Sequence, residues 1–309
     1  MNMLAITSNF PETFSSLPRF LKQLALLVRF SPALLWVGYV LAAPAQQLQL
    51  VSQIDHTNLY SASGNGDSVL PVLSSDGRFV VFASTADNLC VLQETNRIRS
   101  LIPPSMNVYL KDRQNGSTAL VSMNLAGTGG GNGNSWPVAI STNGQHVLFE
   151  SVASDLVASD TNRANDVFLR DVVAGKTTLV SVSTNGTPGN SSSRSPSMTS
   201  DARFVAFVSE ANNLVSKDTN SIADVFVRDA QSGTTLLASP GARSTHPTIP
   251  TGSSEAPELS ADGRYVAFYS TATNLVAGIR TVGEVYVRDT IGGNTIFAST
   301  GSRAAMIRS

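Results

Sequence analysis

A unit of about sixty residues recurs four times along this chain of 309 residues. A fixed repeat of that length narrows the possible folds more than any other feature of the sequence. The copies open at Pro71, Pro137, Pro196 and Pro257, spaced by 66, 59 and 61 residues. Each opening runs into a turn pair: Asp76-Gly77, Asn143-Gly144, Asp201-Ala202 or Asp262-Gly263. An Ala-x-x-Leu element follows, starting at Ala86, Ala153, Ala211 and Ala272. Next come Asn107–Asp112, Asp166–Asp171, Asp224–Asp229 and Glu284–Asp289. Each unit closes on Ala119–Ser122, Thr178–Ser181, Leu236–Ser239 or Ile296–Ser299. A parallel β-helix would repeat at shorter intervals, and a sandwich would not repeat its turns in one order.

Each unit reads as a small antiparallel sheet. The Asp-Gly and Asn-Gly pairs suit two-residue hairpin turns of type I′, in which glycine supplies a positive φ. Asp201-Ala202 departs from that rule, so its turn is expected to be strained or of another type. Second-strand runs such as Phe204–Val208 and Tyr265–Tyr269 are apolar on both faces, so both faces must be covered. Gly116, Gly175, Gly233 and Gly292-Gly293 join the third and fourth runs. No helical period of useful length follows Gln46. The expected fold is all-β: a β-propeller of four-stranded antiparallel blades, with repeats over about 71–136, 137–195, 196–256 and 257–300. The unit exceeds the ~40–45 residues of a WD40 blade. The surplus falls in the loop after the Ala-x-x-Leu element and in the loop between blades.

The runs Ser74–Phe82 and Ser260–Phe268, with Asp224–Asp229 and its counterparts, resemble the WD40-like (PD40) repeats of TolB-type bacterial propellers. The resemblance covers residues 48 to 299. It implies a periplasmic or secreted propeller that acts by binding rather than catalysis. Such repeats also occur in propeller domains attached to peptidases.

Leu48–Ser52 matches the fourth strand of a unit, which gives four complete blades plus one extra N-terminal strand. Three arrangements accommodate that count: a truncated piece of a larger ring, four blades closing alone, or a partner chain completing the ring. The first is the expectation here. Ahead of the repeats, Arg19, Lys22 and Arg29 precede an apolar run from Phe30 to Ala43, followed by Ala43-Pro44-Ala45. The run is shorter than the ~20 apolar residues a membrane span needs and suits a secretory signal over residues 1–45. The mature propeller would then occupy 46–309, in the periplasm or outside the cell, without membrane insertion. An uncleaved anchor is the alternative.

Composition then excludes partners. A net charge of −1 offers no basic footprint for nucleic acid. A single cysteine, Cys90, excludes a disulfide framework and is expected to be packed rather than reactive. Only 14% of residues are charged, and 88 Ser, Thr and Asn supply the polarity instead, expected mainly in turns and inter-blade loops.

Two acidic loops carry the candidate chemistry. Asp160, Asn162 and Asp166, and Asp218, Asn220 and Asp224, place oxygens at positions 1, 3 and 7, which suits a hard cation such as calcium. Both lack the glycine and distal glutamate of an EF-hand loop, and ordinary Asx-turns are the alternative use. Arg170, Arg228 and Arg288 recur before an Asp and are expected to form structural ion pairs. His56, His146 and His246 do not recur, no Gly-x-Ser-x-Gly elbow appears, and Glu150, Glu210, Glu255 and Glu258 have no motif around them. The leading functional expectation is a non-catalytic protein-binding or scaffolding module with no obligatory cofactor. A propeller hydrolase of glycans or peptides, or the accessory domain of one, is a second reading. A calcium-stabilised cell-surface repeat protein is a third.

Overall fold

The computed structural model describes residues 51, 63–90, 105–216, 218–243 and 252–300. The chain divides into a unit over 1–49 and a unit over 50–309, and the repeats belong to the second. The expected leader, and Leu48–Ser52 apart from Val51, lie outside the described residues.

Among the described residues, sixteen strands form four antiparallel sheets, each built from four consecutive strands in chain order. The first holds β1 (Ser68–Leu73), β2 (Phe79–Ser84), β3 (Asn107–Asp112) and β4 (Thr118–Leu120). The second holds β5 (Ser135–Ile140), β6 (His146–Ser151), β7 (Asp166–Asp171) and β8 (Lys176–Leu179). The third holds β9 (Ser193–Met198), β10 (Phe204–Ser209), β11 (Asp224–Asp229) and β12 (Thr234–Leu237). The fourth holds β13 (Ser254–Leu259), β14 (Tyr265–Ser270), β15 (Glu284–Asp289) and β16 (Thr295–Phe297). No helix occurs among the described residues, and none is long and apolar enough to cross a membrane. These are the blades of a β-propeller.

Successive blades bury each other's faces. One face of β2 and β3 (Val81, Val108, Leu110) packs on Val147, Phe149 and Phe168 of the second blade. The opposite face of that blade (Leu148, Val167, Leu169) packs on Val205, Phe207 and Phe226 of the third. Ala206, Val225 and Val227 then cover Val266, Phe268 and Tyr286 of the fourth. Within each blade the two large rings stack, as Phe149 does on Phe168 with centroids 5.5 Å apart. This accounts for strands apolar on both sides.

The opening prolines mark a bulge. Register shifts occur between Val69 and Val72 and between Glu255 and Glu258, around Pro71 and Pro257. Leu70, Ser195 and Ala256, each just before a proline, have φ of 54°, 51° and 50°. A bulge leaves a residue unpaired, which suits a side chain that removes its own N–H.

The hairpins differ from the expected type I′. Gly77 N–H donates to Ser74 O at 2.9 Å, with Gly144 to Ser141 and Gly263 to Ser260 in the same way. Only the glycine of each turn has positive φ, whereas type I′ needs two such residues. The Asp turns inward instead: Asp76 Oδ1 accepts from Ser74 Oγ at 2.6 Å and from Arg78 N at 3.0 Å. Ala202 makes the same turn at φ 60°, an L-residue in the left-handed region.

One recurring set of serines lies within the strands. Ser68–Ser84, Ser135–Ser151, Ser193–Ser209 and Ser254–Ser270 form one hydroxyl–hydroxyl contact per blade, at 2.8 to 3.1 Å. Seven of these eight serines are fully buried. Ser84, Ser151, Ser209 and Ser270 also accept the N–H of the Ala that opens each Ala-x-x-Leu element. These serines lie inside the blades, where each hydroxyl satisfies a buried group.

Candidate functional site

The acidic loops connect β6 to β7 and β10 to β11. Asp160 accepts a backbone N–H from Asn162, and Asp218 one from Asn220. Asn162 Oδ1 accepts from Ala164 N at 2.8 Å, and Asn220 Oδ1 from Ile222 N at 3.1 Å. These are Asx-turns. The two asparagine amides donate to the carbonyls of Gly189 and Ala242.

Position 7 has a use in every blade. Ser181 Oγ donates to Asp166 Oδ1 at 2.6 Å and accepts from Val167 N at 3.2 Å. Asp224 with Ser239, Asn107 with Ser122, and Glu284 with Ser299 repeat the arrangement. Burial pushes the carboxyls of Asp160 and Asp218 up, and those of Asp166 and Asp224 up to about 6. At Asp166 the Ser181 hydroxyl and Asn162 amide oppose that rise, while the charge of Asp160 adds to it. The structure thus brings Asp160 beside Asp166 and Asp218 beside Asp224, and turns the asparagine carbonyls to backbone.

The recurring arginines do not make the expected ion pairs. Arg170, Arg228 and Arg288 donate to Thr177, Thr235 and Thr295 of their own fourth strands. The ion pairs come from the hairpins: Arg78–Asp112 at 2.7 Å, Arg203–Asp229 at 3.0 Å and Arg264–Asp289 at 2.7 Å. Adjacent strand residues point to opposite faces, so each Asp faces the hairpin while the Arg before it faces away. The signal that could have found these pairs is the Arg after each Asp-Gly or Asp-Ala turn.

Other candidates act as ties between blades. Glu150 accepts from Ser195 N at 2.8 Å and from Asn165 Nδ2 at 2.9 Å. Arg194 lies 3.1 Å from Glu255 and 3.9 Å from Glu210, beside a groove of about 440 Å³. His146 Nε2 lies 3.6 Å from Asp171, in a second groove of about 440 Å³ shared with Lys176, Arg203 and Arg228. No group of three or more His, Cys, Asp or Glu able to hold a metal occurs among the described residues. His56 and His246 lie outside the described residues. Cys90 is half-buried against the cluster of Phe82 and Tyr109.

One large surface differs from its equivalents. Val108, Val167 and Val225 are fully buried between blades, but Val285 in the same position of the fourth blade is 40% exposed. Tyr265, Tyr269 and Ile296 are exposed with it. In the inner blades this face receives the first strand of the next blade: β5 packs on β1 to β3, β9 on β5 to β7, and β13 on β9 to β11. No comparable packing joins β1 to β13, β14 or β15. On β1, Val69, Leu70 and Leu73 are exposed, Leu73 by 61%.

No family model matches this sequence, and no curated protein matches it. Solved structures do resemble it. One assigned as TolB from Agrobacterium tumefaciens is 16% identical with a TM-score of 0.43, over 77% of this chain and 66% of that one. A prolyl endopeptidase is 14% identical with a TM-score of 0.45, over 76% of this chain and 30% of that one. An α-L-arabinanase from Penicillium chrysogenum, complexed with arabinobiose, is 14% identical with a TM-score of 0.34, over 72% and 58%. The chain thus spans less than two thirds of the length of each, and the set holds a TolB-assigned protein beside hydrolases.

Proposed function

We propose that this chain is an exported, non-catalytic β-propeller of the TolB-like, PD40-repeat kind that acts by binding protein, and that its partner is a second copy of itself. The charged n-region, the apolar run Phe30–Ala43 and Ala43-Pro44-Ala45 support export to the periplasm or beyond. The observation that carries the binding reading is the uncovered face around Val285. Exposed apolar surface shared by several large side chains marks an interaction site. Its chemistry specifies the occupant. Ala267, Val285 and Val287 repeat the Ala206, Val225 and Val227 that receive a neighbouring blade inside the chain. The exposed apolar residues of β1 are the strand that such a face receives. The fourth blade's half of an inter-blade interface is therefore uncovered, and of the first blade's half β1 is exposed while Val80, Phe82 and Tyr109 are buried. Two copies, each placing β1 on the other's fourth blade, give a closed two-fold assembly of eight blades, within the ~4–8 of known propellers.

Light scattering on the purified full chain tests this. The expected result is a dimer, with Val285→Asp and Leu73→Asp each giving a folded monomer. A monomeric wild type, or a dimer that survives both substitutions, overturns the proposal.

A further inference from the structure

We propose that the loop between β6 and β7 holds a calcium ion between Asp160 Oδ1 and Asp166 Oδ2. Both side chains are more than nine-tenths buried, Asp160 with 6% of its surface exposed and Asp166 with none. Those two oxygens are buried and accept no hydrogen bond of good geometry, although the Asn162 amide lies near enough to Asp166 to lower its carboxyl. The second oxygen of Asp166 is taken by Ser181 Oγ, and Asp160 is held by the N–H of Asn162. No described arginine or lysine forms an ion pair with either carboxylate.

Two neighbouring carboxylates removed from water, each with a vacant lone pair and no counter-charge, require a cation or a proton. Hard, acceptor-only oxygens select calcium over softer metals, and loop carbonyls and water complete its six to eight positions. Asn165 Oδ1, also buried and without a partner, belongs to the same loop.

The third blade shows why the sequence pattern alone overstates the number of sites. There Asn220 Nδ2 donates to Asp224 Oδ2 at 2.6 Å, and Ser239 takes the other oxygen, so only Asp218 Oδ1 is left open. In the third blade the amide sits on the carboxylate at hydrogen-bond length, whereas the Asn162 amide, though near enough to lower Asp166, leaves Asp166 Oδ2 without a bond of that length. In the fourth blade Ile279 and Thr281 stand where the acidic loops have Asp and Asn. Of the two loops with the Asp-Thr-Asn pattern, one is built for an ion.

Equilibrium dialysis of the full chain with calcium, after chelator treatment, gives the stoichiometry, and thermal melting gives the response. The expected result is about one calcium per chain and a higher melting temperature with calcium than with EDTA or magnesium. Asp160→Asn keeps the Asx-turn while removing one charge, and should weaken binding at least about tenfold. Asp218→Asn should leave binding intact. Folded wild type without stoichiometric calcium, or binding lost in Asp218→Asn but kept in Asp160→Asn, overturns the proposal.

Discussion

The ring of Phe79 in the first blade occupies the space a side chain on Gly144 of the second blade would need. A Cβ placed on Gly144 would fall well inside van der Waals contact with Phe79 Cδ2, and Gly263 meets Phe204 in the same way. The aromatic that starts one blade's second strand thus seats itself under the next blade's turn. Gly144→Ala should cost the left-handed backbone term of about 1–2 kcal/mol and displacement of the ring besides. Gly116 has φ 78° and nothing within 4 Å of a built Cβ, so Gly116→Ala isolates the backbone term. Melting should show Gly144→Ala as the more damaging by several degrees; equal losses would remove the role of Phe79.

Ala202 is the one turn residue of the four that is not glycine, and the blade before it offers His146 where the first and third offer Phe. Both line the same groove. Ala202→Gly removes the left-handed strain and should raise the melting temperature by about 2 °C, the net of roughly 1–2 kcal/mol of relief against 0.5–1 of chain entropy. A fall would mean that the buried methyl group matters more than the strain.

The buried hydroxyl contacts make a sharper claim. Ser209 Oγ accepts from Ala211 N at 3.1 Å and from Ser193 Oγ at 2.9 Å, with no exposed surface. Ser209→Ala leaves the Ala211 N–H unpaired in the interior and should cost about 1–3 kcal/mol. Ser232→Ala, at an exposed turn, should cost less than about 0.5. Chemical denaturation of the two variants compares them directly.

Acid sensitivity follows from the hairpin ion pairs. At Asp229 burial pushes the carboxyl up, but the Arg203 guanidinium and the N–H groups of Ser232 and Gln231 outweigh it and hold it at about 2. Arg78 and Arg264 likewise lower Asp112 and Asp289. A carboxyl depressed in the folded state stabilises above its ordinary value near 4 and loses that contribution as pH falls toward 2. Between pH 5 and 2.5 the melting temperature of wild type should therefore fall further than that of Asp229→Asn. Parallel curves would remove the Arg203–Asp229 pair as a source of acid sensitivity.

Order and period of the four blades' strands were legible because each unit repeats the same apolar runs and turn residues, and the blades follow that order. The extra strand expected at Leu48–Ser52 lies outside the described residues apart from Val51. The aromatic–glycine seats were not, since Phe79 and Gly144 lie 65 positions apart and only packing brings them together. The hairpin ion pairs were hidden for a different reason. Arg78 and Asp112 belong to different motifs, and the obvious neighbour of each Asp, the preceding basic residue, lies on the other face of its strand. In the acidic loops the residues were readable but their division of labour was not. Whether the asparagine amide reaches the position-7 carboxylate at hydrogen-bond length, as Asn220 does on Asp224, depends on an orientation that Asp-Thr-Asn does not encode.

The aromatic–glycine seat also limits how such an array can grow. A blade carries half of each lock: its own strand-start residue, and the turn that must fit its predecessor. A tandem duplication of the third blade would set Phe204 against Ala202, ring against methyl, and the new joint would fail. Duplicating the first blade would instead set Phe79 against Gly77, a compatible pair. Tyr265, at the open end of the fourth blade, still asks for a glycine-turned neighbour, and Gly77 of the first blade is one. Repeats that look interchangeable in sequence thus have a permitted order, inherited through which neighbour each has already accommodated.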